Sequence, residues 1–215
     1  MKIYIICPVR NRTKSEEKEI SAYVADLEEQ GNEVREPARD TIQEDEIGLR
    51  ITEEHEEDII WADQVHVWWN PSSEGSCWDV AQTLMAQEFM PNKKIIWVNQ
   101  EPDLKEYINT YQQVVINKFL FIFWKPEDRE SLWRLAQARM TKKFESEFTI
   151  YLFNPFLPQI TEKKSYHNVA LATFLKVTAD SSLQELEKKV TAYNNRQAKE
   201  WGPLIKRLNK YLNSL

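Results

Sequence analysis

Glycine is scarce. The 215 residues contain four, Gly31, Gly48, Gly75 and Gly202, and no two of them lie close together. A dinucleotide fingerprint needs three glycines within six residues, and a phosphate loop needs two followed by Lys-Ser/Thr. Both are excluded. Cysteine is scarcer still: Cys7 and Cys77 make neither a disulfide framework nor a four-cysteine metal site. The three histidines, His55, His66 and His167, show no HExxH-type ligand spacing. No metal and no cofactor is therefore expected. Positive charge is also short, with 28 Lys and Arg against 34 Asp and Glu and a net charge of −6. That balance argues against duplex nucleic acid as a partner. No apolar run approaches the length of a membrane span, and the apolar stretch from Met1 to Pro8 is too short for a secretory leader. The expected compartment is the cytoplasm.

What is present alternates. Ile3-Tyr4-Ile5-Ile6-Cys7 reads as a buried strand ended by Pro8. Thr13 and Glu16 form a capping box opening a helix whose apolar face is Ile20, Tyr23, Val24 and Leu27, and Gly31 ends it. A short strand follows at Glu33-Val34-Arg35, then a helix over 49–62. The next elements are a branched and aromatic strand over 64–69, a helix over 76–89 and a buried strand over 95–98. Strands alternating with helices at this spacing predict parallel βαβ units. The fold expected for 1–124 is a three-layer α/β parallel sheet of the Rossmann-like, flavodoxin-like kind. Ligands of such sheets sit beyond the carboxyl ends of the strands, which places the loops 8–13, 70–76 and 99–102 at the site. Residues 125–215 read as an α+β extension, either a small second domain or extra elements on the same core. Its expected elements are helices over 103–116 and after Pro126, strands at 148–153 and 169–177, and two closing helices over 182–197 and 199–213.

The sharpest motif is Ser72-Ser73-Glu74-Gly75-Ser76-Cys77-Trp78-Asp79, between a predicted strand and a predicted helix. It resembles the active-site segment of the nucleoside 2-deoxyribosyltransferase family, an Asp-x-Gly-Thr/Ser-x-x-Glu pattern at a helix start. Gly75 and Ser76 match the glycine and hydroxyl positions, and Asp79 falls where the family has its nucleophilic glutamate. Ile3 to Pro8 resembles the family's first strand and loop, and Ile59 to Val67, with Ala62-Asp63, its helix-to-strand passage. The resemblance covers residues 1–100. The chain departs from it by a shorter nucleophile at Asp79, by Ser73 at the acidic position beside Glu74, and by Cys7 before Pro8.

The resemblance implies cleavage or transfer at the N-glycosidic bond of a nucleoside or nucleotide. Asp79 would attack the anomeric carbon and hold the sugar as an ester. Glu74 would protonate the leaving base or hold sugar hydroxyls. The helix N-terminus at Gly75 and Ser76, together with Arg10 and Arg12, would suit a 5′-phosphate, and Trp69 or Trp78 would stack on the base. Cys7, Pro8, Ser73 and Asn99 complete the candidate contacts, and family members commonly form homo-oligomers. Plainer readings stand beside these. Ser76-x-x-Asp79 is itself a capping box, Glu74, Arg10 and Arg12 are ordinary surface charges, and His66 is a structural histidine. The alternative function is a nucleotide-binding sensor module that does not turn its ligand over. A third reading is an interaction protein presenting an aromatic patch from its eight tryptophans.

Overall fold

The computed structural model describes residues 1–10, 12–103, 119–122, 128–152, 160 and 165–212. Four strands form one sheet: β1 (Lys2–Ile6), β2 (Glu33–Arg35), β3 (Gln64–Val67) and β4 (Lys94–Trp97), in the order β2-β1-β3-β4 and all parallel. The register is in step, with Ile3 beside Val34 and Gln64, and Val65 beside Ile95. The crossovers are α1 (Lys14–Glu29), α2 (Pro37–Asp40) with α3 (Leu49–Trp61), and α4 (Glu74–Phe89). β2 and β3 leave β1 on opposite sides, so the chain reverses direction beside β1. That is the place where a parallel sheet opens a crevice.

Period-two alternation in β1 builds the three layers. Ile3, Ile5 and Cys7 pack with Ile20, Val24 and Leu27 of α1. Tyr4 and Ile6 belong to the other layer, with Ile59 of α3 and Val80, Ala81 and Met85 of α4. Burial on both faces explains why β1 is an unbroken apolar run. The capping box forms as predicted: Thr13 accepts from the Glu16 amide while Glu16 reaches back to the Thr13 amide. Gly31, at φ 83°, ends α1 with the paired bonds Gly31 N to Glu28 O and Asn32 N to Leu27 O.

The later elements are β5 (Phe119–Ile122), α5 (Arg129–Phe144), β6 (Thr149–Leu152), α6 (Tyr166–Phe174) and α7 (Leu183–Leu212). β5 and β6 pair in parallel as a separate two-stranded sheet. Two expectations are overturned. The predicted strand at 169–177 is the helix α6; Val169, Ala170, Leu171 and Ala172 are all buried, so no polar face shows the helical period. The two closing helices are one, and Pro203 lies inside it. The predicted helix over 103–116 lies largely outside the described residues. The same apolar cluster that holds Tyr4 and Val65 also holds Leu135, Met140, Leu171 and Val190. Among the described residues no helix is long and apolar enough to cross a membrane; Trp69, Trp78 and Trp133 are buried and Trp61, Trp68 and Trp97 half-buried.

A buried ionic cluster fastens α3, α4 and α5. Glu56 is fully buried. Its Oε1 accepts from Gln82 Nε2 at 2.8 Å and from Arg139 Nε at 2.7 Å, and Lys143 Nζ lies 3.3 Å from Oε2. A single deletion in such a cluster strands the remaining charges. Glu56→Ala is expected to cost about 3–5 kcal/mol, while Glu56→Met combined with Arg139→Met recovers most of that loss; urea denaturation of the three proteins checks both statements.

Candidate active site

A cavity of about 440 Å³ opens at the carboxyl ends of β1 and β3. One wall is the loop after β1, from Cys7 to Arg10. A second is the loop after β3 with the first turns of α4, including Ser73, Glu74, Gly75 and Asp79. The third comes from Ile51 and His55 of α3, and the fourth from Ser165 and Tyr166 at the start of α6.

The start of α4 differs from expectation in a way that changes the reading of Asp79. The N-cap is Ser73, whose Oγ accepts from the Ser76 amide at 3.2 Å. Glu74 and Gly75 are thus the first helical residues, and Asp79 stands six residues past the cap. The capping-box reading of Ser76 and Asp79 is therefore wrong: a side chain one and a half turns into a helix cannot reach the cap amide. Asp79 instead turns inward and is 4 % exposed. Its Oδ2 lies 3.0 Å from Nδ1 of His55, itself buried. Its Oδ1, the Nε2 of His55 and the Oγ of Ser76 are buried without a hydrogen-bond partner among the described residues. Buried polar atoms are normally satisfied, so an orphaned carboxylate oxygen and an orphaned imidazole nitrogen on one cavity mark where a ligand's groups belong.

Electrostatics around Asp79 are consistent across elements. Burial pulls the His55 pKa down, but the adjacent Asp79 carboxylate, helped by Asp58 and Glu54, leaves it above its ordinary value. Burial first, and Asp79 second, push the phenols of Tyr4 and Tyr166 well up, so both stay protonated beside the carboxylate. Tyr166 packs its ring 5.1 Å from Trp78. A Cβ on Gly75 would meet the Tyr166 Oη at 3.0 Å, so glycine is what lets α6 close on the start of α4.

The remaining candidates divide. Cys7, Pro8, Arg10, Ser73, Glu74, Gly75 and Asp79 share the cavity. Trp78 does not: it is fully buried under Tyr166 and presents no face to a nucleobase. Trp69 packs edge-on against Trp97. Asn99 is spent on the Trp69 backbone, accepting from its amide at 2.8 Å and donating to its carbonyl at 2.9 Å. Arg12 is tied to Glu36, to the Pro8 carbonyl and to Cys7 Sγ, leaving Arg10 as the cavity's arginine. Burial, then Glu36, raise the Cys7 pKa, which keeps it a thiol. His66, bonded to Tyr23 and Gln64, is the structural histidine the sequence suggested.

His55, Ser165 and Tyr166 escaped the sequence reading. His55 had a signal: it follows Ile51 and precedes Ile59 at four-residue intervals, on the helix face turned to the core. No family model, curated protein or solved structure matches this chain.

Two outcomes are expected. Ser73→Ala lowers stability by about 1 kcal/mol, the usual value of a lost N-cap, seen as a shift in urea midpoint. His55→Gln has a pH-dependent cost. A histidine whose pKa is raised by folding adds stability that is full below its unfolded value near 6.5 and fades as pH rises through the folded value. The stability gap between wild type and His55→Gln should widen as pH falls from 9 to 6, measured by denaturation at each pH.

Proposed function

We propose that the cavity cleaves or transfers at the N-glycosidic bond of a nucleoside or nucleotide, with Asp79 as the nucleophile. The observation that carries this reading is the split environment of one carboxylate. Oδ2 is held by His55, while Oδ1 is buried and has no hydrogen-bond partner among the described residues, on a side chain that lines the cavity. A carboxylate oxygen with no competing donor is poised to meet developing positive charge, and an oxocarbenium-like sugar supplies it. Oδ1 forms the bond to the anomeric carbon, and the electron pair of the C–N bond leaves with the base. Water or an acceptor base then breaks the ester and restores the carboxylate. His55, through Oδ2, fixes the carboxylate's rotation and shares its charge.

Glu74 lies at the exposed rim. A carboxyl group that must carry a proton at neutral pH is normally buried, so Glu74 fits contact with sugar hydroxyls better than protonation of the base. Arg10 and the first amides of α4 favour an anionic or hydroxylated end of the ligand. A sensor module that binds the same ligand without turnover is the second reading. It is favoured by the exposure of Glu74, which leaves Asp79 as the buried carboxyl group among the described cavity residues and no second one to protonate the leaving base.

Wild type and Asp79→Asn, incubated with nucleosides, nucleoside monophosphates and NAD, separate the two by chromatography of free base. The expected result is release by wild type and a loss of several orders of magnitude in the variant. Binding of the same compounds by folded wild type with no release supports the sensor, and neither binding nor release sinks both.

A further inference from the structure

Lys176 occupies a position that glycine usually takes. It follows α6 at φ 53°. It closes that helix through Val177 N to Ala172 O at 2.8 Å and Lys176 N to Thr173 O at 3.4 Å, the paired bonds of a left-handed helix ending. A side chain in this conformation is strained. Charge–dipole attraction favours a cation at a helix end, but a lysine anywhere in the last turn would supply it. Capping alone does not account for a lysine here.

The side chain borders a second cleft, of about 350 Å³, between α3, α5, the start of β6 and the end of α6. Arg139, Lys142, Lys143 and Lys176 line it, against Glu53 and Glu56. Glu56 is engaged by Arg139 and Lys143 at the floor. Arg139 is almost fully buried and also donates from Nη1 to Thr173 Oγ1 at 2.5 Å, so its guanidinium is fixed in place, while its Nη2 has no hydrogen-bond partner among the described residues. Lys142 and Lys176 are exposed, with no carboxylate within 4.0 Å among the described residues. In a chain of net charge −6, four cations gathered against two carboxylates form a local positive field.

We propose that this cleft binds a small phosphate-bearing anion, at a site separate from the Asp79 cavity. Arg139 provides the fixed guanidinium suited to phosphate oxygens. Lys142 and Lys176 supply two unspent charges, which match a dianion. The local strain at Lys176 is the kind of rule-breaking that folds retain where a side chain is needed. This site does not depend on the glycosidic reading.

The test is calorimetric titration at low salt with inorganic pyrophosphate and, separately, with AMP. The proteins are wild type, Lys142→Ala, Lys176→Gly and Arg10→Ala. Lys176→Gly relieves the left-handed strain and is expected to melt at or above the wild-type temperature, so lost binding cannot be blamed on unfolding. Pyrophosphate affinity should fall tenfold or more in both lysine variants and stay unchanged in Arg10→Ala. AMP binding with the same lysine dependence would identify the ligand as a nucleotide; pyrophosphate binding alone would identify it as an inorganic phosphate, and either supports the site. No binding of either compound to wild type overturns the proposal, as does binding that survives Lys176→Gly but is lost in Arg10→Ala.

Discussion

Among the described residues, Asp79 is held out of water on a single hydrogen bond. A buried carboxylate ordinarily collects two or three donors, and here His55 is the one the fold provides. The arrangement depends on α3 lying against α4 at one register. The next residue of α3 secures it, because Glu56 accepts from Gln82, three residues beyond Asp79 on α4. The two contacts act as adjacent pins between the same helices. Glu56 has two cations and an amide about it; Asp79 has one imidazole among the described residues. Glu56 is neutralised at the floor of a cleft between helices, whereas Asp79 lines a cavity with no lysine or arginine against it among the described residues.

The C-terminal half is built into both. Arg139 and Lys143 of α5 neutralise Glu56, without which α3 would carry a bare charge into the core. Ser165 and Tyr166, at the start of α6, line the cavity together with the loops after β1 and β3. A motif confined to the first hundred residues therefore sits in a pocket that those residues do not complete. Gly75 is the meeting point: its missing side chain makes room for the Tyr166 hydroxyl.

Much of the first half was legible in the sequence because both sheet faces are buried and the helices between strands are amphipathic. β1, α1 with its capping box, and the βαβ alternation all follow from those patterns. The beginning of α4 was not, because Ser73-x-x-Ser76 and Ser76-x-x-Asp79 have the same spacing, and only the backbone at Ser73 decides between them. α6 was misread because a helix buried on every side loses its period. His55 was overlooked for a related reason: a single histidine on an apolar helix face has no ligand spacing, and its partner lies 24 residues away on another helix. Seven of the ten candidate site residues share the cavity; of the other three, Ser76 and Trp78 are buried and Asn99 holds the Trp69 backbone.

The most direct test of Asp79 as nucleophile is mass spectrometry of the protein quenched during turnover of any compound from which it releases base. The account predicts a mass increase of one glycosyl group, located by fragmentation to the peptide holding Asp79 and absent from Asp79→Asn. Base release with the adduct on another residue, or undiminished release by Asp79→Asn, would contradict it.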